Sequence, residues 1–144
     1  MPWVLRENLY LSGMMKPGHL DKHGWENVGL LTLCQKKPDA SVILDDRVQW
    51  WKHMPLPDGL IRNNGADVWH ARNTAISMMS QGYTTVIHCM AGRNRSGLIG
   101  ALVLQHFENL TGAEALERIR QLRPNSVDNI YFEQFLINLG RPYP

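Results

Sequence analysis

The sequence predicts an α/β layer fold, a mixed sheet covered by helices, and three observations carry that expectation. Short segments of strand character fill the first half of the chain and helical ones the second. The run YTTVI (residues 83–87) rises as a strand into a tight loop, and that loop opens SGLIGALVLQHF (residues 96–107), apolar nearly all round, as a helix buried in a core must be. With 144 residues, 44% of them hydrophobic, there is material for one real core, and residues 1–144 are read as a single domain.

The elements follow in order. NLYLSG (residues 8–13) alternates apolar and polar residues and stops at a glycine, which suits a short strand. NVGLLTLC (residues 27–34) reads as a buried strand, with turn residues after it in KKPDAS. VQWWKHMPL (residues 48–56) is a third strand, ended by the turn chemistry of PDG. DVWHARNTAISMMSQG (residues 67–82) sets Val68, Ala71, Ala75 and Met79 about one helical turn apart and places Gly82 at the C′ position, with Asp67 expected to cap its start. Thr111 and Glu114 form a capping box that opens a helix closed by Pro124, and a last helix is expected over about residues 129–139. Trp50, Trp51, Trp69, Met78 and Met79 read as packing residues, and His53 and His70 as histidines without a specific partner.

Composition narrows the function classes. Arg6 and Glu7 fall where a secretory signal needs an unbroken apolar core, and the longest apolar run, residues 98–104, is far short of a membrane span. Cys34 and Cys89, 55 positions apart, make neither a disulfide framework nor a metal-ligand spacing, so a reducing, cytoplasmic setting is expected. A net charge of +2 with no basic run argues against bulk nucleic-acid binding.

Chemistry concentrates in HCMAGRNRSG (residues 88–97). Gly92 lets the backbone curl so that successive N–H groups aim inward as an anion nest. Because the loop runs into a helix, the unpaired N–H groups and the positive end of the helix dipole point the same way, toward Cys89. That field favours thiolate over thiol, and cysteines so placed titrate roughly one to five units below about 8.5. Arg95 is spaced to fold back over the bowl and grip two oxygens of a tetrahedral dianion, which lysine could not do. A phosphate-, sulfate- or vanadate-like anion is the expected guest, and phosphoryl transfer to sulfur the chemistry.

The pattern His88-Cys89-x5-Arg95-Ser96-Gly97 resembles, at every defining position, the signature of the cysteine-dependent protein tyrosine phosphatase superfamily, and Ala91-Gly92 is most like its dual-specificity branch. Residues 8–13 are similar to the opening strand of that branch and residues 114–136 to its C-terminal helix pair. The resemblance implies a mostly parallel sheet with the phosphate-binding loop between a central strand and a buried helix. It also implies hydrolysis of phosphate monoesters on phosphorylated proteins or peptides, at phosphotyrosine and also at phosphoserine or phosphothreonine, through a cysteinyl-phosphate, with no metal or cofactor.

Roles follow from it residue by residue. Cys89 is the nucleophile; Arg95 and the backbone amides of Met90, Ala91, Gly92, Arg93, Asn94 and Arg95 hold the phosphoryl oxygens; Ser96 donates to the sulfur; His88 orients and supports the thiolate. Cleavage needs a proton for the departing oxygen. The family keeps its acid on a loop ahead of the cysteine, and Asp58 in PLPDGL lies 31 positions before Cys89; Asp67, 22 positions before it, is assigned to the helix cap, and Asp45 and Asp46 come too early. Cys34 corresponds to a second cysteine that, in some members, forms a disulfide with the nucleophile. Four alternatives stay open: the same chemistry on RNA 5′-phosphate, to whose enzymes the NRSG ending is similar; phosphoinositide hydrolysis aided by Arg93; a non-catalytic phospho-binding module; and rhodanese-type sulfur transfer.

Overall fold

The computed structural model describes residues 2–143. Eleven strands and α-helices follow one another as β1 (Trp3–Arg6), β2 (Leu9–Ser12), α1 (His19–His23), β3 (Val28–Thr32), α2 (Ala40–Ile43), β4 (Val48–His53), α3 (Ala66–Ser80), β5 (Thr84–His88), α4 (Arg95–Glu108), α5 (Gly112–Leu122) and α6 (Ile130–Ile137). The strands form one sheet in the order β1-β2-β5-β3-β4, with β1 antiparallel and the other pairings parallel. The mixed, mostly parallel sheet expected from the sequence is therefore present. β5 lies at its centre, so the loop leaving β5 emerges mid-sheet at the carboxyl edge, where open α/β sheets bind ligands.

Side-chain alternation divides the core into two layers. Leu31, Leu33, Ile87 and Cys89 face the side covered by α3 to α6, against Leu98, Leu102, Ile119 and Phe132. Val28, Leu30 and Val86 face the opposite side, under Leu20 of α1, Val42 of α2 and Trp25. Every residue of α4 from Ser96 to Gln105 is buried, which is why its sequence has no polar face.

Several local expectations hold. The Thr111–Glu114 capping box is formed in both directions, at 3.1 Å and 2.8 Å. Gly82, just past the Gln81 C-cap of α3, takes the left-handed φ of 86°.

Others need correcting. α3 starts at Ala66 with Gly65 as its N-cap; Asp67 lies in the first turn and makes no capping bond, so it acts only through the favourable end of the helix dipole. α6 stops at Ile137 rather than Leu139, where Asn138 returns its N–H to Gln134 and Leu136. β1, α1 and α2 were not expected. β1 is a four-residue edge strand with Val4 58% exposed, so it carries no apolar alternation to read. α1 is a five-residue turn of helix between two left-handed glycines, and α2 begins inside the run read as a turn, where Asp39 accepts from Ser41 N. No helix among the described residues is long and apolar enough to cross a membrane.

α5 and α6 pack where the Gly112 N–H donates to the Leu139 carbonyl at 2.9 Å, and a Cβ on Gly112 would overlap the Leu136 carbonyl. Neither contact is a flexible side chain that can yield. Gly112→Ala is expected to cost about 1–3 kcal/mol of stability through overpacking. Urea unfolding checks this, and an unchanged midpoint would contradict it.

Candidate active site

The loop from Cys89 to Asn94 owes its shape to where its carbonyls go. The Met90 carbonyl accepts from Met14 N at 3.1 Å, Ala91 from Arg123 Nη2 at 3.3 Å, Gly92 from Arg123 Nε at 3.0 Å, and Arg93 from Val127 N at 3.1 Å. In a planar trans peptide the C=O and the next N–H point in opposite directions. Tying these four carbonyls to the outside therefore turns the amides of Ala91, Gly92, Arg93 and Asn94 to the inside. Gly92 is pressed against β2: its φ is 66°, and a Cβ there would come 2.7 Å from the Ser12 carbonyl carbon. Both facts require glycine.

Arg123 holds two of the four carbonyls, and its guanidinium is itself stacked on Trp3 of β1, 4.2 Å from the ring centroid. Sequence reasoning missed Arg123, Trp3 and Met14. None lies near the loop in sequence, and the only available signal was the position of Arg123 just before Pro124.

Cys89 lies on the floor of this bowl with 3% of its surface exposed. Its Sγ is 3.2 Å from Ser96 Oγ. Burial alone would raise the thiol pKa, but the Ser96 hydroxyl and the N–H groups of Ser96, Arg93 and Gly92 outweigh it, and the net direction is downward. Met90 enters through its carbonyl, and its side chain is exposed. Arg95, the first residue of α4, donates from Nη1 to the Leu56 carbonyl at 3.4 Å, while its buried Nε has no partner among the described residues. Arg93 is paired with Asp128 at 2.9 Å.

Asp58 is brought to the loop by two asparagines. Asn129 Nδ2 donates to it at 2.8 Å and Asn94 Nδ2 at 3.4 Å. Asn94 Oδ1 in turn accepts from the backbone N–H of Asp128 and Asn129, at 2.8 and 3.2 Å. Asn129 Oδ1 accepts from Tyr131 N and Phe132 N, so one side chain caps α6 and positions the carboxylate. Asn129 was read only as a helix boundary, and its reach to Asp58 spans 71 positions.

Neither His88 nor Cys34 hydrogen-bonds to the Cys89 sulfur. The His88 ring lies on the sheet face opposite Cys89 and meets Thr32 Oγ1 at 2.6 Å, with no hydrogen bond to the sulfur. Burial pushes its pKa down to about 4; the Cys89 backbone partly offsets this and the His53 charge adds to it, so the ring is neutral near pH 7. Cys34 is a buried free thiol whose Sγ donates to the Lys36 carbonyl at 3.3 Å. Burial raises its pKa, the Arg95 charge lowers it and the Cys89 charge raises it, and Cys34 and Cys89 belong to one buried cluster.

No protein-family model and no curated protein matches the chain. Solved structures do match. Tk-PTP in its active form superposes with a TM-score of 0.81 at 22% identity, over 94% of this chain and 92% of that one. Human DUSP28 gives 0.76 at 17% identity, over 94% and 89% of the two chains. PTPMT1 in complex with PI(5)P gives 0.73 at 17%, over 92% and 90%. The chain has the fold of the dual-specificity protein tyrosine phosphatases. Within that phosphatase fold, the loop between β5 and α4 holds Cys89, Ser96 and Arg95 together, and the loop after β4 carries Asp58 to the same rim.

Thiolate reactivity measures the field in the bowl. A lowered pKa means the thiolate persists to lower pH, so alkylation of Cys89 by iodoacetamide should reach half its maximal rate below the ordinary thiol value of about 8.5. Ser96→Ala removes a hydrogen bond to the charged form and should move that midpoint up by about one unit. Mass spectrometry of the Cys89 peptide follows the reaction separately from Cys34, and an unmoved midpoint would contradict the role of Ser96.

Proposed function

We propose that the protein hydrolyses phosphate monoesters, phosphotyrosine together with phosphoserine or phosphothreonine in proteins or peptides, through a cysteinyl-phosphate. The observation that carries this reading is a buried sulfur on the floor of the loop, 3.2 Å from Ser96 Oγ, whose pKa that hydroxyl and the Ser96, Arg93 and Gly92 amides lower against burial. Hydrogen-bond donors fixed in advance around a nucleophile suit a reaction whose charge sits on a transferring phosphoryl group.

In the first step the Cys89 thiolate attacks phosphorus in line, an S–P bond forms, and the P–O bond to the leaving group breaks as Asp58 gives its proton to the departing oxygen. Arg95 and the amides of the loop hold the equatorial oxygens. In the second step Asp58, now a carboxylate, takes a proton from water, whose oxygen attacks phosphorus. The S–P bond breaks, inorganic phosphate leaves, and the Ser96 hydroxyl stabilises the departing thiolate.

The rim supports a broad choice of leaving group. Asp58, Gly59, Asn94, Asn129, Ile130 and Tyr131 line a surface cavity of ≈ 340 Å³, and Ile130 and Tyr131 are 62% and 50% exposed. These two side chains offer apolar contact to a phenyl ring or a shorter alkyl arm without enclosing either. The pairing of Arg93 with Asp128 engages a cation that a polyanionic head group would recruit, and this supports a protein phosphate ester over phosphoinositide or RNA 5′-phosphate.

Cys34 completes the reading as a redox partner. Peroxide converts the Cys89 thiolate to a sulfenic acid; the Cys34 thiol attacks that sulfur, water leaves and a disulfide forms. Dithiothreitol should then restore wild-type activity, while Cys34→Ser should lose activity irreversibly and faster. Equal irreversible loss in both proteins would contradict this role.

Hydrolysis of p-nitrophenyl phosphate in EDTA tests the central mechanism. Cys89→Ser should lose all measurable turnover. Asp58→Asn should fall by about 10²–10⁴-fold, with the decline toward alkaline pH flattened because no acid remains to be deprotonated. Turnover retained by Cys89→Ser would overturn the mechanism, and faster release from inositol lipid or 5′-triphosphorylated RNA than from phosphopeptides would reassign the substrate.

A further inference from the structure

Val127 departs from the pattern of the rest of the backbone. Among the described residues, every other non-glycine position with a positive φ is an asparagine, whose short polar side chain tolerates the left-handed region. Val127 takes a φ of 58° with a β-branched side chain, which is strained. Such a residue stays there only where its surroundings hold it. It is fully buried, and a Cβ on Gly97 would come 3.2 Å from its Cγ2, so the absence of a side chain at Gly97 lets it pack on the first turn of α4.

Arg120 of α5 holds this turn. Its Nε donates to the Ser126 carbonyl at 3.0 Å and its Nη2 to the Val127 carbonyl at 2.7 Å, while the same Nη2 meets Glu133 of α6 at 2.6 Å. One guanidinium thus takes the carbonyls of two consecutive peptides around the strained residue, which its planar fork allows and an ammonium would not. The N–H groups leaving the same turn all meet the loop between β5 and α4. Val127 N donates to the Arg93 carbonyl at 3.1 Å, and Asp128 N and Asn129 N donate to Asn94 Oδ1 at 2.8 and 3.2 Å. Consecutive N–H groups converge in this way where a left-handed residue interrupts the chain.

We propose that Arg120 is a positioning residue: by holding Val127 left-handed it sets the Asn94 amide and the Asn94 side chain together. The Arg93 carbonyl, tied to Val127 N, turns the Asn94 N–H into the bowl. The Asn94 side chain, tied to the Asp128 and Asn129 amides, presents its Nδ2 to Asp58. Arg120 itself hydrogen-bonds to neither the bowl nor Asp58. The effect on anion binding and turnover rests on the phosphatase reading; the clasp does not.

The experiment uses the full chain, ¹⁵N-labelled, with inorganic phosphate as the probe. Arg120→Lys keeps the charge without the fork, and Arg120→Gln keeps one donor group without the charge. Arg118→Lys, on the same helix and paired with Glu108, controls for the loss of a guanidinium from α5. Before phosphate is added, both Arg120 variants should move the amides of Asn94, Val127, Asp128 and Asn129, and Arg118→Lys should leave them in place. On titration, phosphate affinity should fall about two- to tenfold in the Arg120 variants, the value of one amide hydrogen bond. The phosphate-induced shift of the Asn94 amide should shrink, while those of Gly92 and Arg93, set by Arg123, should persist. Turnover of phenyl phosphate, whose leaving group needs the acid, should fall more than that of p-nitrophenyl phosphate, whose leaving group needs it less. Unmoved Asn94 and Asp128 amides in folded Arg120 variants, the same movements in Arg118→Lys, equal attenuation at every loop amide, or an equal fall on the two esters would overturn the proposal. The selective amide changes in a protein that binds no phosphate and hydrolyses neither ester would support the clasp and remove the phosphatase reading instead.

Discussion

The site depends on one constraint: the outward anchoring of the carbonyls between Met90 and Arg93. A buried carbonyl left without a donor costs about 1–3 kcal/mol, so donors on one side of a loop decide which way its peptides face. Here those donors come from the backbone of Met14 and from the segment between α5 and α6, which supplies the Arg123 side chain and the Val127 N–H, two stretches far apart in sequence. The amides face inward as a result, and a sulfur that burial alone would keep protonated is held toward the thiolate. The rest of the fold keeps these donors in place. β1 supplies the Trp3 ring on which Arg123 rests, and α4 is buried along ten consecutive residues, so its N-terminus cannot shift beneath the sulfur.

Asp58, the proposed acid, is positioned by a different device. Asp58 sits on an exposed loop with little packing of its own, and its carboxylate is fixed from the far side of the bowl by Asn94 and Asn129. Asn94 ties the loop between β5 and α4 to the segment before α6, and Asn129 ties that segment to Asp58. Arg95 adds a bond to Leu56 at the base of the same loop. Cys89 and Asp58 therefore share a frame although 31 residues separate them, as the proposed reaction needs.

What the sequence made legible was what is local in it. The strand, glycine-bearing loop and all-apolar helix around Cys89 are contiguous, and so is the Thr111–Glu114 box; each announces itself within a dozen residues. Asp58 could be placed because a Pro/Gly turn at a strand end is also a local signal. The bracing residues could not. Arg123 reads as the end of a charged helix and Asn129 as a boundary, because their function lies in contacts 31 to 71 positions away. β1, α1 and α2 escaped for a simpler reason: four or five residues are too few to show a period. Asp67 was given a cap that a left-handed glycine occupies instead.

The most direct measurement is the ¹H–¹⁵N amide spectrum of the wild-type protein titrated with inorganic phosphate. The account predicts saturable shifts, with one common dissociation constant, in the amides of Ala91, Gly92, Arg93 and Asn94 and in the Arg95 Nε–H. Phosphate that moves only surface amides such as those of Lys36 and Lys37, leaving the loop from Ala91 to Asn94 in place, would contradict it.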